Sequence, residues 1–175
     1  MTTPYVDPQT VHNPTTGTSP PASWGDTVRD NQQLFSAPPS VKAVRTAVQS
    51  LAHNTSSALQ FNAADQWDTD SFHSTTTNNT RVTIPSGLGG KYHIIGSVTF
   101  AAGADTTRLM QVRLNGATVI AVLQATNGVP AGGFAGSLPI MHQLAAGDYI
   151  ELMCYQFSGS ALNITGSLSA HWVSL

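Results

Sequence analysis

The sequence predicts an all-β domain, a sandwich or barrel of about ten short antiparallel strands, behind an extended N-terminal arm with one short helix. Three observations carry this reading. Charged residues make up 9 % of the 175, too few to fill the exposed faces of a helical bundle, which normally carry Glu, Lys and Arg. Seven of the ten prolines fall within residues 1–40. From residue 41 onward, apolar and polar residues alternate with a period of two between Gly, Asn, Asp and Ser turns.

The arm comes first. Pro4, Pro8, Pro14, Pro20, Pro21, Pro38 and Pro39 each fix φ and remove a backbone donor. Residues 1–40 therefore hold neither a central strand nor a long helix. One stretch differs, and a short helix is expected near 26–35, capped by Ser23 or Asp26. Trp24, Val28, Asn31 and Phe35 then share a face. Two readings stand side by side. The helix packs on its own domain, or it docks on another protein through Trp24, Val28, Arg29, Asp30, Leu34 and Phe35.

The domain spans 41–175. Its clearest strand is the last, where Leu162, Ile164, Gly166, Leu168, Ala170 and Trp172 alternate with polar neighbours. Tyr92–Phe100 alternates in the same way. Residues 109–114 and Thr118–Leu123 flank Asn115-Gly116, the strongest short hairpin signal. Tyr149–Phe157 is apolar on both faces, with Ile150, Leu152 and Cys154 on one and Tyr149, Met153, Tyr155 and Phe157 on the other. Such a strand needs cover on both sides. Shorter strands are expected at Ser57–Asn62, Trp67–His73, Arg81–Ile84 and Ser137–His142. Val41–Val48 reads as a strand, although Val41, Val44, Val48 and Leu51 also fit helical spacing.

The polar chemistry is sparse. A net charge of −2 gives no reason to expect nucleic acid or an acidic membrane surface as partner. The opening residues, Met1-Thr2-Thr3-Pro4, lack the charged and apolar regions of a secretory signal, so synthesis in a cytoplasm is expected. Six histidines are present, none four residues from another, and no H-E-x-x-H or G-x-S-x-G motif occurs. Asp65, Asp68 and Asp70 form the densest acidic group, without the glycine and terminal glutamate of a calcium loop. Turn and edge-strand acids explain them equally well. The single cysteine, Cys154, sits inside an apolar strand and reads as a packed small hydrophobe. No cofactor, metal site or catalytic residue is expected, and the chain reads as a non-enzyme.

Six segments in order resemble the complement globular-head domains. They are Phe72-His73, Arg81-Val82-Thr83-Ile84-Pro85, Gly89-Gly90-Lys91-Tyr92, Val112 to Gly116, Leu144 to Leu152, and a closing strand ending His171-Trp172. The resemblance implies the ten-stranded jelly roll those domains share with the tumour necrosis factor family. It also implies a homotrimer that buries an apolar side of each subunit. The outer face of the strand at 149–157 supplies the interface candidates Tyr149, Met153, Tyr155 and Phe157. In the arm, Pro21-Ala22-Ser23-Trp24 with Val28-Arg29-Asp30-Asn31, Leu34 and Pro38-Pro39 is similar to N-terminal segments of tailed-bacteriophage virion proteins. Together these resemblances imply a trimeric capsid decoration protein held through its arm to the major capsid protein or another virion protein. The alternative is a tail-associated or receptor- or carbohydrate-binding module, with the loop Ala125–Gly136 as a contact loop.

Overall fold

The computed structural model describes residues 22–103, 107–126 and 133–175. The Pro-rich arm expected before the helix lies, up to residue 21, outside the described residues. So do residues 104–106 and residues 127–132, the middle of the expected contact loop Ala125–Gly136.

Among the described residues, one helix precedes ten strands. Helix α1 spans Ala22–Ser36. It is longer than the expected 26–35, with Trp24 already in its first turns. Its last turn closes with Ala37 N–H donating to the Gln33 carbonyl at 2.8 Å. Pro38-Pro39 then removes the next donors and ends it.

The strands are β1 (Ser40–Leu51), β2 (Ser57–Ala58), β3 (Trp67–Asp68), β4 (Arg81–Thr83) and β5 (Gly90–Phe100), then β6 (Arg108–Leu114), β7 (Thr118–Ala125), β8 (Phe134–Leu144), β9 (Tyr149–Gln156) and β10 (Leu162–Ser174). They form two antiparallel five-stranded sheets. The first has the order β3-β1-β10-β5-β8. In the second, β2-β9-β6-β7 run side by side and β4 also pairs with β9. Neighbours in space are mostly distant in sequence, and this crossing of strands between two packed sheets is a jelly-roll sandwich.

The stretch with dual periodicity, Val41–Leu51, is a strand. It lies between β10 and β3, and Val41 pairs with Ala170 on one side and Asp68 on the other. The Asn115-Gly116 turn has positive φ at both residues, 51° and 72°, the conformation of a tight I′ hairpin turn.

Two strands are shorter than the sequence suggests. The segment 57–62 leaves the ladder after Ala58. Leu59 and Phe61 are buried plugs whose N–H groups donate to Leu152 and Asn79 carbonyls. The segment 67–73 bends after Asp68, whose carboxylate accepts the N–H groups of Phe72 and His73, each at 2.9 Å. A side chain that satisfies two backbone donors competes with the ladder and wins here.

The core lies between the sheets. Val41, Ala43, Tyr92, Ile94, Val98, Phe100, Leu168, Ala170 and Trp172 from the first sheet meet Val82, Met110, Val112, Ile150, Leu152 and Cys154 from the second. The fit is close. At Gly96 an added Cβ would stand 2.8 Å from a Leu152 methyl. Burial pushes the Cys154 thiol up to about 12, so the thiolate is absent at neutral pH and the sulfur acts as a packing atom. No helix among the described residues is long and apolar enough to cross a membrane.

Candidate functional site

Helix α1 meets the sandwich through one residue in particular. Leu34 is 1 % exposed and belongs to the core cluster, and Asn31 beside it is buried. The shared face of Trp24, Val28, Asn31 and Phe35 does not act as one, since Asn31 is buried while Trp24 and Phe35 are exposed. Leu34 points in, and Phe35 points out with 66 % of its surface exposed. Trp24 is exposed at 36 %, and Val28 is half-buried. Arg29 and Asp26 form an exposed pair at 3.0 Å, and Asp30 lies on the other side of the same guanidinium at 3.4 Å. The helix thus presents Trp24 and Phe35 outward. Phe35 also borders a groove of about 170 Å³ with Trp172, Val173, Ser174 and Leu175. Val173 and Leu175 are exposed, so the apolar surface continues from the helix onto the end of β10.

The outward side chains of β9 are largely engaged within the chain. The Arg81 guanidinium lies 4.0 Å above the Tyr149 ring. Tyr155 donates its hydroxyl to Asn54 Oδ1 at 2.8 Å. The Phe157 ring packs on His53 at 4.5 Å. Between them, Glu151 accepts from Thr80 at 2.6 Å and pairs with Arg81 at 3.5 Å. Tyr149, Met153 and Tyr155 are half-buried, and only Phe157 is exposed.

A second apolar surface lies where the sheets end. β7 and β8 are the edge strands of the two sheets on the same side of the sandwich. Their inward residues Ile120, Leu123, Phe134, Leu138 and Ile140 pack against the core yet stay only partly buried. Val119 and Val122 flank this seam from the second sheet and Met141, 59 % exposed, from the first. Neither strand contains Asp, Glu, Lys or Arg. This surface was not singled out from the sequence. The signal was present, because Val119-Ile120-Ala121-Val122-Leu123 is as apolar on both faces as β9.

The acidic trio does not converge. Asp65 pairs with His73, Asp68 holds the backbone at 72–73, and Asp70 accepts from the Thr69 hydroxyl at 2.8 Å. Among the described residues no three His, Cys, Asp or Glu side chains are placed to hold a metal ion.

No family model matches the sequence, and no curated protein matches it. Solved structures do resemble it. The globular domain of zebrafish complement 1qA protein aligns with a TM-score of 0.56 at 12 % identity, over 77 % of this chain and 97 % of that one. The Eiger TNF of S. frugiperda aligns at 0.56 and 10 % identity, over 78 % and 92 %. The PRD1 vertex protein P5 aligns at 0.54 and 16 % identity, over 78 % and 72 %. At these identities the likeness is one of fold, and the chain has the jelly-roll fold seen in the complement 1qA globular domain and the Eiger TNF.

Proposed function

We propose that this chain is a non-enzymatic, homotrimeric virion structural protein, a decoration protein attached to the capsid of a bacteriophage through its N-terminal arm. The observation that carries the reading is the placement of helix α1. Leu34 ties the helix to the jelly roll while Trp24 and Phe35 face outward beside Val173 and Leu175. An aromatic pair held on a rigid helix is a docking element.

Self-association is supported by the uncovered seam of β7 and β8. A monomer leaves Val119, Val122 and Met141 in water beside half-buried Ile120, Leu123 and Leu138, a contiguous patch of the kind that marks an interface. Seating one copy's seam on the flank of the next is a heterologous contact, and a three-fold rotation closes such contacts into a ring. The outer face of β9 is the weaker candidate because Arg81, Asn54 and His53 already contact Tyr149, Tyr155 and Phe157. Similarity of fold to a vertex protein supports placing the chain on a virion surface.

Two measurements test the reading. Light scattering of the full chain should give three times 18.4 kDa. Sedimentation with capsids stripped of the protein should show saturable binding that the Trp24→Ala/Phe35→Ala variant loses. A monomer would sink the assembly reading. Binding to glycans but not to capsids would favour a receptor-binding module instead.

A further inference from the structure

The row of residues that crosses the first sheet next to the seam contains two histidines. Ser40 of β1 pairs with His171 of β10, His171 with His93 of β5, and His93 with Met141 of β8. Directly opposed residues point to the same side of a sheet. His171, His93 and Met141 therefore lie in line on the outer face, ending at the exposed edge residue that borders the seam. Adjacent strands are about 4.8 Å apart. A neighbour that extends past Met141 onto this face meets His93 one strand further in and His171 one strand beyond.

The surroundings of the pair are basic. Lys42 of β1 lies over the Trp67 ring at 5.5 Å, and that ring packs on His171 at 5.7 Å. Lys91 precedes His93 by two residues on the same face of β5. These are both of the chain's lysines. The acids at this end of β1 are engaged elsewhere, Asp68 by the Phe72 and His73 N–H groups and Asp70 by the Thr69 hydroxyl. β8 brings Pro139, Met141 and Gln143 to this side and no charge, while its His142 alternates to the other face. The neighbour's seam holds no Asp, Glu, Lys or Arg, and its titratable group is His142, which shares the side of Leu138 and Ile140. On the row's own face a proton added to either ring meets Lys42, Lys91 and the other ring, while the carboxylates of Asp68 and Asp70 are held by their own donors on the β3 side.

We propose that His93 and His171 make self-association acid-labile, so that copies hold together while both rings are neutral and separate when the rings are protonated. This inference rests on the assembly reading above and adds its regulation. Two effects act in one direction. Covering a ring removes water from its charged form, and closing the ring brings more copies of the same basic row near one another. The His171 imidazole is already held below its ordinary value, by burial first and by the His93 charge second. Assembly deepens both causes. The linkage sign follows, because the free chain binds more protons than the assembled one and acid favours the free chain.

The test is sedimentation equilibrium of the full chain at pH 8 and pH 5 at constant ionic strength. Wild type is compared with His93→Gln/His171→Gln and with His142→Gln, which removes the histidine on the seam side of β8 and so separates it from the row. Wild type and His142→Gln should assemble at pH 8 and dissociate up to ~100-fold more readily at pH 5. The double variant should lose that dependence. Should it fail to fold, the single variants serve, each expected to remove about half of the shift on a logarithmic scale. Assembly that ignores acid, or a double variant that follows wild type, overturns the inference and leaves the assembly reading standing. A wild-type monomer at pH 8 overturns both. Near-UV circular dichroism of the tryptophans reports folding at pH 5, and loss of the fold there in every chain also counts against the inference.

Discussion

Asp65 and His73 form a sealed pair. The carboxylate lies 2.8 Å from His73 Nδ1, and the imidazole has no solvent-exposed surface. His73 Nε2 faces the Asn79 carbonyl, and the ring meets Phe61 edge-on at 5.9 Å. The pair staples the long connection between β3 and β4 beneath the sandwich. Asp65→Ala strands the imidazole and should cost ~1–3 kcal/mol in urea unfolding. Asp65→Asn keeps an acceptor and should cost less. Equal losses would mean that packing, not the hydrogen bond, holds the loop.

Trp172 pairs with Tyr92 across the first sheet and is 7 % exposed. Trp172→Ala should destabilise the fold by ~3–5 kcal/mol, the usual loss for an aromatic removed from a core. A loss below about 1 kcal/mol would show that the site collapses without it.

Helix α1 separates two roles onto adjacent residues. Leu34→Ala should lower the chain's own stability by ~2–4 kcal/mol because Leu34 is in the core. Phe35→Ala should shift the unfolding midpoint little and act on the proposed capsid attachment instead. The reverse pattern would place Phe35 inside.

The two candidate interfaces can be separated by charge. Val122→Glu puts a carboxylate on the seam and should reduce the assembled mass to that of a single chain. Met153→Glu on the outer face of β9 should leave the mass unchanged. The opposite result would move the contact to β9.

Asp148 latches the hairpin turn. Asn115 donates to its carboxylate at 2.8 Å, and so does the Ala145 N–H at 2.8 Å. The bond from Asn115 and then that from Ala145 hold the carboxyl below its ordinary value. Its contribution is complete above the unfolded value of about 4 and fades as the pH falls through the lower folded value. Asp148→Asn should therefore show a smaller stability loss than wild type between pH 5 and pH 3, read by urea midpoints.

Much of the fold was legible because β10, β5 and the Asn115-Gly116 hairpin announce themselves through alternation and turn chemistry. Those signals are local. What stayed hidden depended on contacts between distant residues. Asp68 ends β3 with a side-chain acceptor, and periodicity does not register that. A short amphipathic helix does not reveal which of two neighbours, Leu34 or Phe35, turns inward until a core stands beside it. The β9 residues looked uncovered because Asn54, His53 and Arg81 lie remote from them in the chain. The seam residues Val119–Leu123 were visible as an apolar run, but only the strand order makes them an edge.

The route from helix to sandwich has a mechanical side. Tension on the arm passes through Pro38-Pro39 into β1, whose first residues are gripped by β10 on one flank and β3 on the other. The Trp172 N–H adds a bond to the Pro39 carbonyl at 2.9 Å. Bonds between antiparallel strands run across the strand axis, so a pull along β1 strains many of them at once, whereas a sideways pull peels them one by one. A lengthwise tug is therefore the direction in which this joint resists rupture best.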